Sequence, residues 1–410
     1  MHSASSSIRR ARFVFAGVLT IFAVLVAGSA AQAQVPSSPL VIDEFRYHGP
    51  NGQYDNFIEL YNPSPTQSYN LNPTGGLPTV LFFHNTLEGN NGCCWYIEFP
   101  KDTIVPPNSH FLVAFEGYQP AQFAGTPTPD WAEPTVADDG QGNMIARDIA
   151  HDGGVDLYSE YDSDSHTYAA LLDEAGFSGD VGDCDCYEGT PLTAPSLTAL
   201  NAAGTQQYSW VRKVPGAYPQ DTNNNANDFA FVAENAAIAG SVRGAPAPQN
   251  RQSPTMQNGV VQPLLLDPNA SSSAPANRDT QGNTVYIRRT IKNKSATRTV
   301  TSLKFRVTQL TTNEADNASQ AKLAVIDAPN ATVSTSTGSK SVTGLKLEKP
   351  PAQIGGGGLN SGIVGVPLPA GGLPPGGTIN VQFAFSKAKG GTFTFGFAAE
   401  ATSSGGTGPS

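Results

Sequence analysis

The chain has 410 residues, 34 acidic and 24 basic, for a formal net charge of −10 at pH 7, with four cysteines. That is too long for one ordinary hydrophobic core and predicts two domains. The acidity is uneven: Leu40 to Gly240 carries 27 Asp/Glu against 5 Lys/Arg, whereas Ser241 to Ser410 carries 7 against 16. A first half this acidic repels a phosphate backbone, which excludes nucleic acid as its partner.

Residues 1–33 read as a secretory signal peptide. Arg9, Arg10 and Arg12 form a basic start, Phe13 to Ala27 an apolar core, and Ala31-Gln32-Ala33 a small-residue cleavage site. The apolar run is short for about 30 Å of hydrocarbon. No later stretch is long and apolar enough to cross a bilayer, so the expected product is not transmembrane after cleavage. Its expected location is the periplasm, the cell surface or the medium.

Residues 38–240 predict the first domain. VIDEFRY, DNFIELYN, TVLFFHN, CWYIEF, HFLVAFE, TYAALLD and YSWVRK are short, rich in aromatic and β-branched residues, and separated by Gly, Pro, Asn and Asp clusters. VIDEFRY and DNFIELYN, on either side of a Gly/Pro/Asn turn, predict the first paired strands, and alternation predicts Ile58 and Leu60 on a core face, with Phe57, Glu59 and Tyr61 opposite. Residues 241–259, full of turn residues and without apolar periodicity, predict a semi-extended linker. Residues 260–402 predict a second all-β domain through VVQPLLLD, NTVYIRRTIKN, TVTSLKFRVTQ, AKLAVID, ATVSTST, TINVQFAFSK and GTFTFGFAAE, and 403–410 a flexible tail. The alternating Ile379, Val381, Phe383, Phe385 and Phe393, Phe395, Phe397 predict two strands paired across Lys387 to Gly391. Gly355 to Gly358 lack the Lys-Ser/Thr that a phosphate loop requires and read as a flexible surface loop.

Cys93, Cys94, Cys184 and Cys186 are an even set in an oxidising compartment, which predicts disulfides in one of three connectivities, with a cross-link between the two loops preferred to a strained Cys93–Cys94 bridge. A zinc site closed by all four thiolates is the competing reading, though CC with CxC is not its usual spacing.

Several segments, taken in order, resemble a bacterial lamin-tail domain: Val41 to Phe45, Asn56 to Asn62 with its Glu-Leu-Tyr-Asn, Gly153 to Leu157, Leu171 to Phe177, Glu188 to Pro191, Ser209 to Lys213 and Asp221 to Phe229. The resemblance covers about half the chain. It implies an immunoglobulin-like β-sandwich of the kind found as an accessory module in secreted or envelope proteins, often joined to nucleases or other hydrolases. Here the attached half looks like another sandwich.

Calcium is the sharpest chemical reading. Asp221, Asn223, Asn225 and Asp228 offer hard oxygen ligands in one loop, but Ala226 and Val232 stand where an EF-hand needs Gly and Glu. The alternative is a connection in which Asp and Asn cap their own backbone. Acidic loops at Asp148 to Asp164 and Asp180 to Glu188 raise self-repulsion that bound cations or the basic half would relieve. His48, His84, His110, His151 and His166 are scattered singly, and no Gly-x-Ser-x-Gly or His-Glu-x-x-His is present. Arg288, Arg289, Lys292, Lys304 and Arg306 form the densest basic stretch, on an expected hairpin; they are candidate anion-binding residues, with solvated edge charge as the alternative.

The expectation is an all-β protein of two antiparallel immunoglobulin-like β-sandwich domains, secreted or envelope-associated. Its expected role is non-catalytic binding or scaffolding, toward an unknown protein or envelope glycan, with no cofactor unless calcium. The alternative is a secreted calcium-dependent hydrolase of phosphodiester or glycosidic bonds using the acidic loops.

Overall fold

The computed structural model describes residues 36–85, 93–118, 127–134, 136–138, 144–146, 149, 153–178, 186–216, 218–236, 238–257, 259–312, 319–349 and 356–404. The expected signal peptide lies outside these residues. The described chain is nearly all β, with two short helices at Leu197–Ala202 and Asn225–Asp228.

In the acidic half, a seven-stranded sheet runs in the order Val242–Arg243, Phe229–Ala233, Tyr208–Arg212, Val41–Arg46, Phe57–Tyr61, His110–Phe115, Trp131–Glu133. The expected opening pair forms: Val41–Arg46 lies antiparallel to Phe57–Tyr61, Phe45 opposite Ile58. A second sheet joins Ala170–Gly176, Gly154–Ser159, Val80–Asn85 and Cys93–Glu98. Alternation sends Ile42, Phe45, Ile58, Leu60, Val113 and Trp210 from the first sheet to meet Leu81, Phe83, Ile97, Val155 and Leu157 from the second in one core.

The basic half repeats this arrangement around its own core. A five-stranded sheet runs Thr255–Met256, Phe395–Ser404, Thr299–Leu310, Gly362–Val364, Lys346–Leu347, and the other main sheet is organised around Thr284–Asn293 and Thr378–Lys389. Phe305, Val307, Val381, Phe383 and Phe385 meet between them.

Two expected strand pairings are corrected here. Thr378–Lys389 and Phe395–Ser404 belong to different sheets. Their phenylalanines meet across the core, Phe383 on Phe397 at 4.9 Å and Phe385 on Phe395 at 4.5 Å between centroids. Alternating aromatics on consecutive strands satisfy either geometry, because both put one face of each strand in apolar surroundings. Likewise Thr284–Asn293 and Thr299–Leu310 lie in different sheets and form no hairpin, which divides the basic stretch between them.

The two halves pack as one compact unit. The segment expected as a linker is buried from Gly244 to Asn250, and the glycine run expected at the surface is buried from Gly356 to Gly358. The reason is backbone proximity. Leu359 pairs with Gly244, Leu359 N–H donates to Arg243 O at 2.9 Å and Ala245 N–H to Leu359 O at 3.1 Å. A Cβ at Gly356 or Gly358 would run into the backbone of Gly244 or Arg243. Among the described residues no helix is long and apolar enough to cross a membrane.

Candidate functional site

The seven-stranded sheet of the acidic half is buried on both faces along its central strands; Phe57–Tyr61, His110–Phe115 and Tyr208–Arg212 are buried at every position. One face is the apolar core. The other carries charge, and the buried segment from Gly244 to Asn250, a strap across the sheet, and the five-stranded sheet of the basic half cover it.

A register irregularity between Ile42 and Glu44 makes this charged face possible. The extra residue, Asp43, lets both Asp43 and Glu44 leave the core side while Ile42 and Phe45 remain in the core. Glu44 then stands directly opposite Glu59, a pairing that repulsion disfavours unless other groups compensate it. His110 sits opposite Tyr61 on the neighbouring strand, and Leu112 opposite Glu59, so His110 is diagonal to Glu59 on the same face.

Donors converge on these acids from every side. Glu44 accepts from Ser209 Oγ at 2.6 Å, Ala247 N–H at 3.1 Å and Asn360 Nδ2 at 3.0 Å. Glu59 accepts from Gln249 N–H at 2.5 Å. Opposite them, Arg306 pairs with Glu400 and donates to the side chain of Asn360 at 2.9 Å; Lys304 stands 3.6 Å from Glu400. Burial pushes Glu400 up, but Arg306 and Lys304 together outweigh it and hold the carboxyl below its usual range.

Compensation is incomplete at one point. Asp43 Oδ1, His110 Nδ1 and Nε2, and the Tyr61 hydroxyl are buried without hydrogen-bond partners. Asp43, Glu59 and His110 each offer a ligand atom within 4.8 Å of the other two. Burial and the charge of Glu59 push Asp43 up to about 7. Burial, then Glu44, pushes Glu59 well up, and burial holds His110 below its usual value. Between the halves lies a cavity of about 20 Å³ lined by Asp43, Glu59, His110, Gln249, Arg306 and Glu400 among others. That is room for one water-sized occupant.

A second polar group lies at the end of the acidic half's core. Arg212, stacked over Phe229 at 4.5 Å, reaches Asp173 at 2.5 Å, Asp228 at 3.8 Å and Asp221 at 3.9 Å. Asp173, Glu188 and Asp221 bring ligand atoms within 4.8 Å of one another, and burial followed by the charges of Asp173 and Asp221 pushes Glu188 up to about 8.

The four residues read for calcium have separate tasks. Asn225 accepts from Gly176 N–H at 2.9 Å and donates to Glu174 O at 2.8 Å. Asp228 accepts from Thr222 N–H and Oγ1, each at 2.8 Å. Asn223 is exposed with φ of 52°, and Asp221 accepts from its N–H at 3.4 Å. Asn224 caps the short helix. Of the anion-binding candidates, Arg288 is buried, donating to Gln382 and Pro275 at 2.6 Å each. Arg289 donates to Arg288 O at 2.8 Å, Lys292 is half-buried further along the same strand, and Lys304 and Arg306 face the cavity or its edge. Cys186 is buried; Cys184 and the side chains of Cys93 and Cys94 lie outside the described residues, as do His151 and the acidic loop from Asp180 to Asp185.

Asp43, Glu44, Glu59 and His110 were all visible as residues in the sequence, but nothing there joined them. A polar residue alternating with apolar ones reads as facing solvent, and only docking of the second half reverses that reading. No family model, curated protein or solved structure matches the chain.

Proposed function

We propose that this is a secreted or envelope-associated, non-catalytic module of binding or scaffold type, with two immunoglobulin-like sandwiches held in one compact unit and a first half of lamin-tail character. The observation that carries this reading is the use of the charged sheet face. Its densest titratable cluster is spent on joining the halves, where a substrate larger than water has no room. Rigid presentation of outer loops is the task such a joint serves, because a sandwich displays its loops at its ends.

The test uses the purified chain on two assays. Saturable co-sedimentation with isolated envelope, glycan or protein fractions is expected, with no turnover on phosphodiester or glycoside substrates with or without calcium. Calcium-dependent turnover would overturn the reading. One observation favours a hydrolase as the second reading: the raised carboxyl of Glu188 beside Asp173 and Asp221 has the form of a general acid. Turnover abolished by Glu188→Gln would establish it.

A further inference from the structure

We propose that Asp43, Glu59 and His110 bind one divalent transition-metal cation of the zinc class, between the two halves. Hydrogen-bond accounting supports this. Glu44 receives donors from Ser209, Ala247 and Asn360, and Glu400 is paired with Arg306. Glu59 receives Gln249 on Oε2, which leaves Oε1 facing His110 Nδ1 at 2.5 Å in a contact that forms no hydrogen bond. Asp43 Oδ2 lies 3.8 Å from the same nitrogen. His110 is 2% exposed, and neither of its ring nitrogens has a hydrogen-bond partner. The unspent lone pairs of the interface therefore meet at one place.

Charge leads to the same conclusion. Asp43, Glu44, Glu59 and Glu400 bring four carboxylates to the cavity wall, against Arg212, Arg306 and the edge residue Lys304, so the acids still outnumber the bases. Isolated buried charge costs several kcal/mol, and a cation within the triad removes that cost. An imidazole with two carboxylates is a donor set for zinc, which takes about four ligands at roughly 2.0–2.2 Å. Calcium, which takes six to eight oxygens, does not suit a cavity with room for one further small ligand. The cation would be structural: its ligands all come from the acidic half, and neutralising their charge would favour packing of the strap and the basic half over them.

This inference is independent of the binding or scaffold reading, because its readouts are metal content and stability rather than turnover or envelope retention. Elemental analysis of the purified chain should give about one zinc equivalent per chain. After stripping with a strong chelator the melting temperature should fall, and excess zinc should restore it by roughly 5 °C. Cobalt added to the stripped chain should give visible absorption of a low-symmetry, four- or five-coordinate ion. Asp43→Asn and His110→Ala should each lose the equivalent, whereas Asp221→Asn should retain it. If a variant fails to fold, zinc and cobalt titrations of the stripped wild-type chain decide the matter. Metal content below about a tenth of an equivalent after exposure to zinc, with an unchanged melting temperature, would overturn the proposal. So would full retention by folded His110→Ala, or loss by Asp221→Asn with retention by Asp43→Asn.

Discussion

Arg306 supports the joint between the halves through Asn360. It lies in the basic half, pairs with Glu400 beside it, and reaches Asn360, which in turn donates to Glu44 of the acidic half. Arg306→Met would leave Glu400 buried with Lys304 as its remaining salt-bridge partner, and loss of one partner of a buried pair costs about 3–5 kcal/mol. Denaturant unfolding should read a loss of that order. Glu188 makes a prediction about pH. Its carboxyl is raised from 4.5 to about 8, so the folded state keeps a proton that the unfolded chain releases. The stabilisation is complete below about pH 4.5 and is lost as pH rises through about 8. Melting temperature should therefore fall across that window, and Glu188→Gln should flatten the slope; an unchanged slope would refute the assignment. In the Asp221 loop, Asp228→Ala removes acceptors for Thr222, Gln220 and Asn224, with an expected loss of about 1–3 kcal/mol in denaturant unfolding.

At the scale of elements, the strap is the feature that sequence reading places differently. Gly244 to Asn250 contains Pro246 and Pro248 and no apolar period, which is the composition of a linker. In the structure its N–H groups at Ala247 and Gln249 serve Glu44 and Glu59, and Asn250 Nδ2 donates to Thr128 O at 2.8 Å. Prolines suit this role because a segment that pairs only at alternate residues does not need every N–H. Limited proteolysis should therefore spare 244–250, and early cleavage there would contradict the buried strap. Individual strands were legible, Val41–Arg46 and Phe57–Tyr61 down to their mutual pairing. The partners of Thr378–Lys389 and Phe395–Ser404 were not, because alternation reports which face is apolar and not which strand lies alongside.

For the whole molecule, the two apolar cores would allow independent unfolding, and the charged joint between them opposes it. Calorimetry should show one cooperative transition, and Arg306→Met should resolve it into two or broaden it. Residue order and composition alone were enough to define an all-β chain, many of the longer strands of both halves, the Ile58 and Leu60 core face, and the opposite charges of acidic and basic halves. These are local or compositional properties, set by side-chain period and residue count. Tertiary packing was needed to turn Asp43, Glu44, Glu59 and His110 inward, to make a strap of the linker, and to divide the basic stretch between sheets. Burial of a strand's second face depends on what docks against it. In this chain the docking elements lie roughly 200 to 350 residues away along the sequence, beyond the reach of any pattern within a strand.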